Sequence, residues 1–174
     1  MSAVAVPSGI PQARQRLAHT EDFDAFYAAS VQRLTLQLYA YLGDQAEAQD
    51  VVQEAYYKAL LKWKKISSYD DPAAWVRRVA WNLATNHFRK QRNALSYLKR
   101  QREEPVAGPG PDRVVLTQAL ATLPPNQRRA VIMHYQAQMT IAEIAQQEGV
   151  AEGTVKSWLS RGRAALAGQL RKEN

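Results

Sequence analysis

A stretch between residues 72 and 90 has side chains of the types that bind nucleic acid. Arginine can neutralise a phosphate, asparagine can hydrogen-bond an exposed base edge, and tryptophan can stack on an unpaired base. At about 3.6 residues per helical turn, several such side chains fall on one stripe of a helix. They are Trp75, Arg78, Asn82, Asn86 and Arg89. A different face carries Val76, Val79, Ala80 and Leu83, and it is predicted to be the core face.

The same stretch carries much of the positive charge. Between Ala73 and Arg102 the basic residues stand without a single acid. The whole chain has 23 Lys and Arg against 16 Asp and Glu, a net charge of +7, which favours nucleic acid as a partner before a membrane surface. A solvated helix face is the alternative interpretation, but such a face normally mixes charge signs for i, i+4 pairing. The basic residues are Arg77, Arg78, Arg89, Lys90, Arg92, Lys99, Arg100 and Arg102.

A second candidate for nucleic-acid binding lies near the end of the chain. A helix, a turn at Gly149 and a further helix have the helix-turn-helix layout, whose second helix enters the major groove. A purely structural helical hairpin is the alternative. Thr154, Ser157, Ser160 and Arg161 form a polar face that can lie against a groove, and Lys156 and Arg163 flank it, where they can reach phosphates.

The opposite face of this second helix is predicted to pack. It carries Val155, Leu159, Leu166 and Leu170, with Gly162 at its edge. A glycine inside a helix costs about 1 kcal/mol relative to alanine, so a close approach of another helix is the expected compensation. Trp158 lies at the margin of the polar row, and the pattern leaves open whether it packs on the scaffold or lies along DNA.

A third surface is predicted on the helix that ends near Trp63. Its core face carries Val52, Ala55, Ala59 and Trp63. Exposed tyrosine and leucine among acids suggest a protein partner, with ordinary surface as the alternative. The outward residues are Asp50, Gln53, Glu54, Tyr57 and Leu61.

Every periodic segment repeats at helical spacing, which predicts an all-α fold of two small helical domains joined by a flexible linker. Proline, glycine and charge between residues 101 and 112 mark the linker. We expect a flexible tail at 1–19, a first domain at 20–97, a linker at 98–113 and a second domain at 114–174.

Capping residues predict where the helices begin and end. Thr20 or Asp22 is expected to cap the first helix, and Gly43 to end it. Asp44 with Glu47, and Thr140 with Glu143, have capping-box spacing. Asp71 followed by Pro72 predicts the start of the basic helix, which should run past Phe88. Later helices are expected from Val114 to Leu123, from Pro124-Pro125 to about Tyr135, and from Ile141 to about Gln147.

Several classes of function are disfavoured. Without cysteine the chain has no disulfide, zinc thiolate or thiol nucleophile, which fits a reducing cytoplasm. No run is apolar enough to span a bilayer, and the N-terminus lacks an export pattern, so a soluble and unexported protein is expected. The sequence also lacks the usual signs of an enzyme, which are a nucleophile with its base, a Gly-rich phosphate loop or a carboxylate cluster. Asp70 and Asp71 are interpreted as a loop residue and a helix cap, not as a metal pair. His87 is interpreted as a packed or hydrogen-bonded histidine. A regulator that dimerises on palindromic half-sites is the main rival.

Three segments, in this order and around a linker, resemble bacterial sigma factors of the extracytoplasmic function group. They are AQDVVQEAYYKALLKW, DDPAAWVRRVAWNLATNHFRKQR and LPPNQRRAVIMHYQAQMTIAEIAQQEGVAEGTVKSWLSRGR. The resemblance covers roughly residues 21–170. It implies two domains, region 2 and region 4, that load onto core RNA polymerase and direct it to promoters, with no catalysis, cofactor or metal of their own.

The resemblance also implies binding sites. Region 2 would dock on the clamp helices of the largest polymerase subunit through the outward residues of the Trp63 helix, and region 4 on the flap of the second-largest subunit. The nontemplate strand of the minus-10 element would bind Ser67, Ser68, Tyr69, Asp70, Trp75, Arg77, Arg78, Asn82, Asn86, Arg89 and Lys90. The minus-35 duplex would bind His134, Thr154, Lys156, Ser157, Ser160, Arg161 and Arg163.

Two residues depart from the family pattern. Position 158 is commonly arginine in this family, so Trp158 removes an expected phosphate contact, and Ala151 stands where serine or proline is commoner, which weakens the cap of the last helix. The linker would thread toward the active-site channel of the polymerase. Factors of this group are often held inactive by an anti-sigma protein, which is a further implied partner.

Overall fold

The computed structural model describes residues 10–95 and 110–172, and these ranges form eight α-helices and no strand. The predicted all-α fold is confirmed. The helices are α1 (Ile10–Leu42), α2 (Gln45–Leu61), α3 (Trp63–Ile66), α4 (Pro72–Leu95), α5 (Pro111–Ala121), α6 (Pro125–Tyr135), α7 (Ile141–Glu148) and α8 (Glu152–Lys172).

The first helix begins earlier than its capping residues predicted. α1 starts at Ile10, so Thr20 and Asp22 lie inside it, and residues 10–19 are helical where a flexible tail was expected. The prediction fails because Pro11 is tolerated in the first turn and no glycine or proline interrupts the chain from there to Gly43. A Thr or Asp side chain caps a helix only where the chain before it is not helical. Here the residues before Thr20 are already helical. Residues 1–9 of the predicted tail lie outside the described residues.

Other predicted ends are confirmed. Gly43 and Gly149 adopt the left-handed conformation, with φ of 75° and 66°, which glycine reaches without steric cost. Asp71 Oδ1 accepts from the Ala74 amide at 3.1 Å. Thr140 and Glu143 form the reciprocal capping box, with bonds of 3.2 and 2.7 Å.

The Asp44 cap forms only in part as predicted. Asp44 Oδ1 accepts from the Glu47 amide at 3.0 Å. The Glu47 carboxylate, however, accepts from Gln91 of α4 and lies 3.7 Å from His87. His87 is thus a hydrogen-bonded histidine, also 3.3 Å from the Gln91 amide nitrogen, as its position on the helix indicated.

α1, α2 and α4 form the first module, whose core is closed by aromatic side chains. Val76 and Ala80 are buried as predicted, whereas Val79 and Leu83 are half-buried at the margin. Trp81, which the helical pattern did not place in the core, is fully buried and lies 5.5 Å from the ring of Tyr41. Its large apolar area stabilises the α1–α4 contact.

α5 to α8 form the second module around Ile132, Met133, Ile144 and Val155. α5 spans Pro111–Ala121 rather than the predicted Val114–Leu123 because proline and the acidic residue after it suit a first helical turn. The end of the predicted linker 98–113 is therefore helix. Residues 98–109 of that linker, and residues 96–97 at the end of the predicted first domain, lie outside the described residues.

The two modules pack against each other through Arg128. This buried guanidinium donates to the Tyr41 carbonyl of the first module at 3.1 Å, and to the carbonyls of Ala121 and Leu123 at 2.9 and 3.2 Å. Its carbon lies 5.4 Å from the ring centre of Phe88 and 6.0 Å from that of Tyr41, within cation–π range. Burial lowers the pKa of Arg128, although the neighbouring Tyr41 opposes this.

Arg129 forms a second connection. It binds Glu148 of its own module at 2.9 Å and donates to the Tyr41 hydroxyl at 3.1 Å. Burial disfavours the charged form, but the hydrogen bonds and charges of Glu148 and Tyr41 together outweigh it and raise the pKa of Arg129. Tyr41 therefore offers its carbonyl, ring and hydroxyl to two arginines of the other module.

Candidate nucleic-acid interface

The polar stripe of α4 is open to solvent. Arg78, Asn82, Asn86 and Arg89 are exposed, and Trp75 is half-buried against the core. Packing one side of the indole fixes its orientation and reduces the entropy lost when the ring stacks on a base. Two further basic residues of α4 are predicted to bind the minus-10 strand: Lys90 is exposed, and Arg77 lines a cleft of about 350 Å³ between the modules.

The predicted minus-10 loop lies immediately before this stripe. Ser67, Ser68, Tyr69 and Asp70 are all exposed and connect α3 to α4. The Ser68 hydroxyl donates to the Lys65 carbonyl at 2.6 Å, and the Tyr69 amide donates to the Ile66 carbonyl at 3.0 Å. These bonds hold the start of the loop while its side chains stay exposed. The described structure therefore brings the loop and the stripe of α4 together at the first turn of that helix.

One residue of the stripe already has a partner in the second module. Gln147 of α7 donates to Asn82 Oδ1 at 2.9 Å, and more weakly to the Arg78 carbonyl at 3.5 Å. No local pattern could predict this contact, because its residues lie 65 positions apart in the chain.

The recognition-type helix α8 presents its polar face outward. Lys156, Ser160, Arg161 and Arg163 are exposed, and Thr154 and Ser157 are half-buried. Behind this face Val155 and Leu159 are buried, and Leu166 is half-buried, as predicted. The side chain of Leu170, predicted on the same core face, lies outside the described part. α8 can therefore lay its polar row along a groove without unpacking.

Gly162 and Trp158 both belong to the scaffold. A Cβ at Gly162 would lie 2.8 Å from Val131 Cγ2, so the absence of a side chain lets α6 approach α8. This confirms the packing predicted for Gly162. Trp158 is half-buried and packs against the same core, which favours its scaffold interpretation over a place along the DNA backbone. Ala151 still starts α8, because its carbonyl accepts from the Thr154 amide at 3.0 Å.

Replacement of Gly162 by alanine should destabilise the chain despite alanine's better helix propensity. The methyl group meets Val131, whose β-branched side chain has little rotamer freedom, and overpacking of this kind costs about 1 to 3 kcal/mol. Gly168→Ala, in the same helix with nothing within 4 Å, should instead stabilise by up to about 1 kcal/mol. Urea unfolding of both variants measures the difference, and equal stabilisation by both would contradict the packing role.

Two residues at the end of α6 lie beside the polar face. His134 Nδ1 lies 3.0 Å from the Met139 carbonyl and is half-buried, so only part of its ring can reach a phosphate. Tyr135, which sequence reasoning missed, is exposed and accepts from Arg163 at 3.1 Å. The sequence signal for Tyr135 was its place next to His134 at a helix end, which by itself is weak.

The third predicted surface is exposed on α2. The exposed fractions of Tyr57 and Leu61 are 61% and 68%, unusually large for such apolar side chains. Leu60, which was not predicted, adds to the same apolar end with 45% exposure. The polar members Asp50, Gln53 and Glu54 are also exposed, and Gln53 donates to the Tyr27 hydroxyl at 2.6 Å.

Within residues 10–95 and 110–172, no three His, Asp or Glu side chains come together as a metal site would require. None of the helices in those ranges has the length and apolar character for crossing a bilayer.

Family models match most of this structure. Sigma-70 region 2 matches residues 26–94, and sigma-70 region 4 matches residues 113–166. The RNA polymerase sigma-E factor of Streptomyces antibioticus is 32% identical over 130 residues, covering 73% of this chain and 72% of that protein. The ECF RNA polymerase sigma factor SigL of Mycobacterium tuberculosis is 33% identical over 141 residues, covering 76% of this chain and 78% of its own.

Solved structures share the fold. The sigma factor RpoE of Bartonella quintana, in a complex with the anti-sigma factor NepR, superposes with a TM-score of 0.71 at 23% identity, covering 88% of this chain and 99% of RpoE. SigJ of Mycobacterium tuberculosis superposes with a TM-score of 0.60 at 28% identity, covering 82% of this chain and 52% of SigJ. From the two matched regions and these relatives, the chain belongs to the extracytoplasmic function group of the sigma-70 family, which acts in transcription initiation.

Proposed function

We propose that α4 and the loop before it capture the nontemplate strand of the minus-10 element. The observation that carries this proposal is the exposed stripe of arginine and asparagine beside a half-buried tryptophan, without an acid on the helix. Flipping a base out of its stack costs a few kcal/mol, so stacking and phosphate contacts must offset that cost. The exposed loop residues 67–70 supply a rim on which the displaced base can be held.

In the same proposal, α8 binds the minus-35 duplex through its outward polar row. Arg161 and Ser160 face the groove, and Lys156 and Arg163 contact the backbone phosphates. Arg163 is also held by Tyr135, which reduces the entropy lost on binding. The half-buried Thr154 and Ser157 have short side chains at the start of the helix, where its N-terminus can donate to a phosphate.

The exposed surface of α2 is proposed to dock on the clamp helices of the polymerase. Its apolar end, Tyr57, Leu60 and Leu61, has the composition of an interface centre, and Asp50, Gln53 and Glu54 form a polar rim. Region 4 would contact the polymerase flap. The proposed domains are α1–α4 for region 2 and α5–α8 for region 4, joined by the segment between Leu95 and Gly110.

The chain is further proposed to work in the bacterial cytoplasm without catalysis of its own, since the polymerase supplies the chemistry. An anti-sigma protein is a proposed partner because the RpoE structure holds one. The direct test mixes the chain with core polymerase and a library of promoter fragments from its genome. Initiation from promoters with two conserved elements supports the proposal, and no transcript above core polymerase alone contradicts it.

Substitutions on the two proposed DNA-binding surfaces, α4 and α8, should impair different steps of initiation. Arg78→Ala and Asn82→Ala should each reduce open-complex formation about tenfold, because they remove contacts made to the melted strand. Lys156→Ala and Arg161→Ala should mainly weaken binding to duplex, and Lys156→Ala should lower the salt slope of binding by about 1. Permanganate footprinting and duplex titrations at several salt concentrations separate these effects. If all four variants lost both activities equally, the assignment of separate surfaces would be wrong.

A further inference from the structure

The contact between Gln147 and Asn82 joins two surfaces that act on different parts of a promoter. Asn82 lies in the middle of the α4 stripe, and its amide oxygen is occupied by Gln147 of α7. Arg78, one turn earlier, lies beside the same glutamine through its carbonyl. A single strand laid along the stripe would meet α7 at this point.

The packed arrangement is also too short to contact both promoter elements. At about 3.4 Å per nucleotide, the minus-35 and minus-10 elements lie roughly 85 Å apart in duplex DNA. A compact protein of 174 residues is about 40 Å across on average, and even the longest helix, α1, spans only about 50 Å. The modules must therefore separate before α4 and α8 can bind one promoter together.

We propose that α7 is an intramolecular competitor of the minus-10 strand, with Gln147 occupying Asn82 until the modules separate. The inference rests on the proposed function of α4. Tyr41 holds the packed arrangement, because Arg128 and Arg129 both reach it from the second module. Asn82 itself remains exposed at its edges, so the competition is for its hydrogen-bonding oxygen and for the space beside it.

The competition predicts that loosening the module interface strengthens single-strand binding. Gln147→Ala frees Asn82, and Tyr41→Phe removes the hydroxyl that Arg129 binds while keeping the ring. Each loss of one hydrogen bond should raise the affinity for the strand about fivefold. Gln146→Ala is the matched control, because Gln146 is an exposed glutamine on the same helix and no contact with α4 is described for it.

The test uses the full chain without polymerase and a short fluorescent single strand carrying the minus-10 element of a promoter that the holoenzyme transcribes. Module separation is measured in parallel. Because the chain has no cysteine, Ala25→Cys and Ala165→Cys, both at exposed positions, can carry spin labels for distance measurement. We expect one short distance in the parent chain and longer distances in the Tyr41→Phe, Gln147→Ala double variant. That double variant should bind the strand more tightly than either single variant, and Gln146→Ala should bind it like the parent chain.

Two results would overturn the competition: a double variant that opens without binding the strand more tightly, or a parent chain that already shows the long distances. If Tyr41→Phe fails to fold, Gln147→Ala carries the binding test by itself. The increase in strand affinity caused by Gln147→Ala must also vanish when Asn82 is replaced by alanine. Transcription by the parent holoenzyme reports separately on the proposed function, so a failure of either idea can be told from a failure of the other.

Discussion

Replacement of Arg128 by alanine is expected to lower the free energy of unfolding by about 3 kcal/mol. Arg128 is only 8% exposed, and its guanidinium donates to the carbonyls of Tyr41, Ala121 and Leu123. Truncation leaves all of these acceptors without their donor, and it also removes the cation from the rings of Tyr41 and Phe88. The loss should lower the melting temperature by about 10 °C.

Calorimetry or circular dichroism of the purified chain measures this effect. Arg128→Lys should recover only part of the stability, because an ammonium group has no planar fork to serve several carbonyls together. Arg171→Ala, at an exposed site in the last turn of α8, is the matched control and should change stability by no more than about 0.5 kcal/mol. Equal melting temperatures for Arg128→Ala and Arg171→Ala would contradict the bridging role of Arg128.

The second large effect is expected on polymerase binding. Tyr57→Ala and Leu61→Ala together should weaken the affinity for core polymerase by at least about 100-fold, because buried aromatic and apolar anchors commonly contribute about 2 kcal/mol each. Both side chains are more than half exposed in the free chain. Their truncation should therefore leave the free energy of unfolding almost unchanged.

Competition with a fluorescently labelled parent chain for core polymerase measures the affinity. Lys64→Ala, exposed on the neighbouring helix α3, is the control and should bind like the parent chain. A double variant that bound normally would show that the polymerase does not use this apolar end of α2. A double variant that lost stability would instead show that the two side chains pack in the free protein.

Much of the fold could be predicted because its signals are local. The cap at Asp71, the capping box of Thr140 and Glu143, and the left-handed turn at Gly149 each depend on residues within one helical turn. The exposed stripe of α4 and the polar row of α8 follow from helical periodicity in the same way. Periodicity shows which side chains share a face, and composition shows which face suits a polyanion.

Features that depend on tertiary packing could not be predicted. Trp81 lies about 140° around α4 from Val76, beyond the narrow apolar arc, and its ring is buried against Tyr41 of α1. The early start of α1 was missed because Thr20 and Asp22 have the composition of caps but lie within an uninterrupted helix. In both cases the local pattern was ambiguous, and the three-dimensional context decided.

Contacts between the modules were outside the reach of any local pattern. Nothing in the sequence pairs Gln147 with Asn82, or Arg128 with the Tyr41 carbonyl. Long-range pairs of this kind are fixed by how whole helices pack, and one helix turn of displacement would change the partner. The candidate site was therefore predicted as two separate surfaces, whereas α7 lies against one of them.

The bridge made by Arg128 also bears on how the chain unfolds. Domains connected only by a linker commonly melt as independent units, each with its own transition. Here, unfolding of the first module takes the Tyr41 carbonyl away from the buried guanidinium of Arg128. Unfolding of the second module leaves that carbonyl without its donor. The two unfolding equilibria are therefore thermodynamically linked, and we expect the free chain to unfold in one cooperative transition. Separating its modules would convert that single folding unit into two smaller and less stable ones.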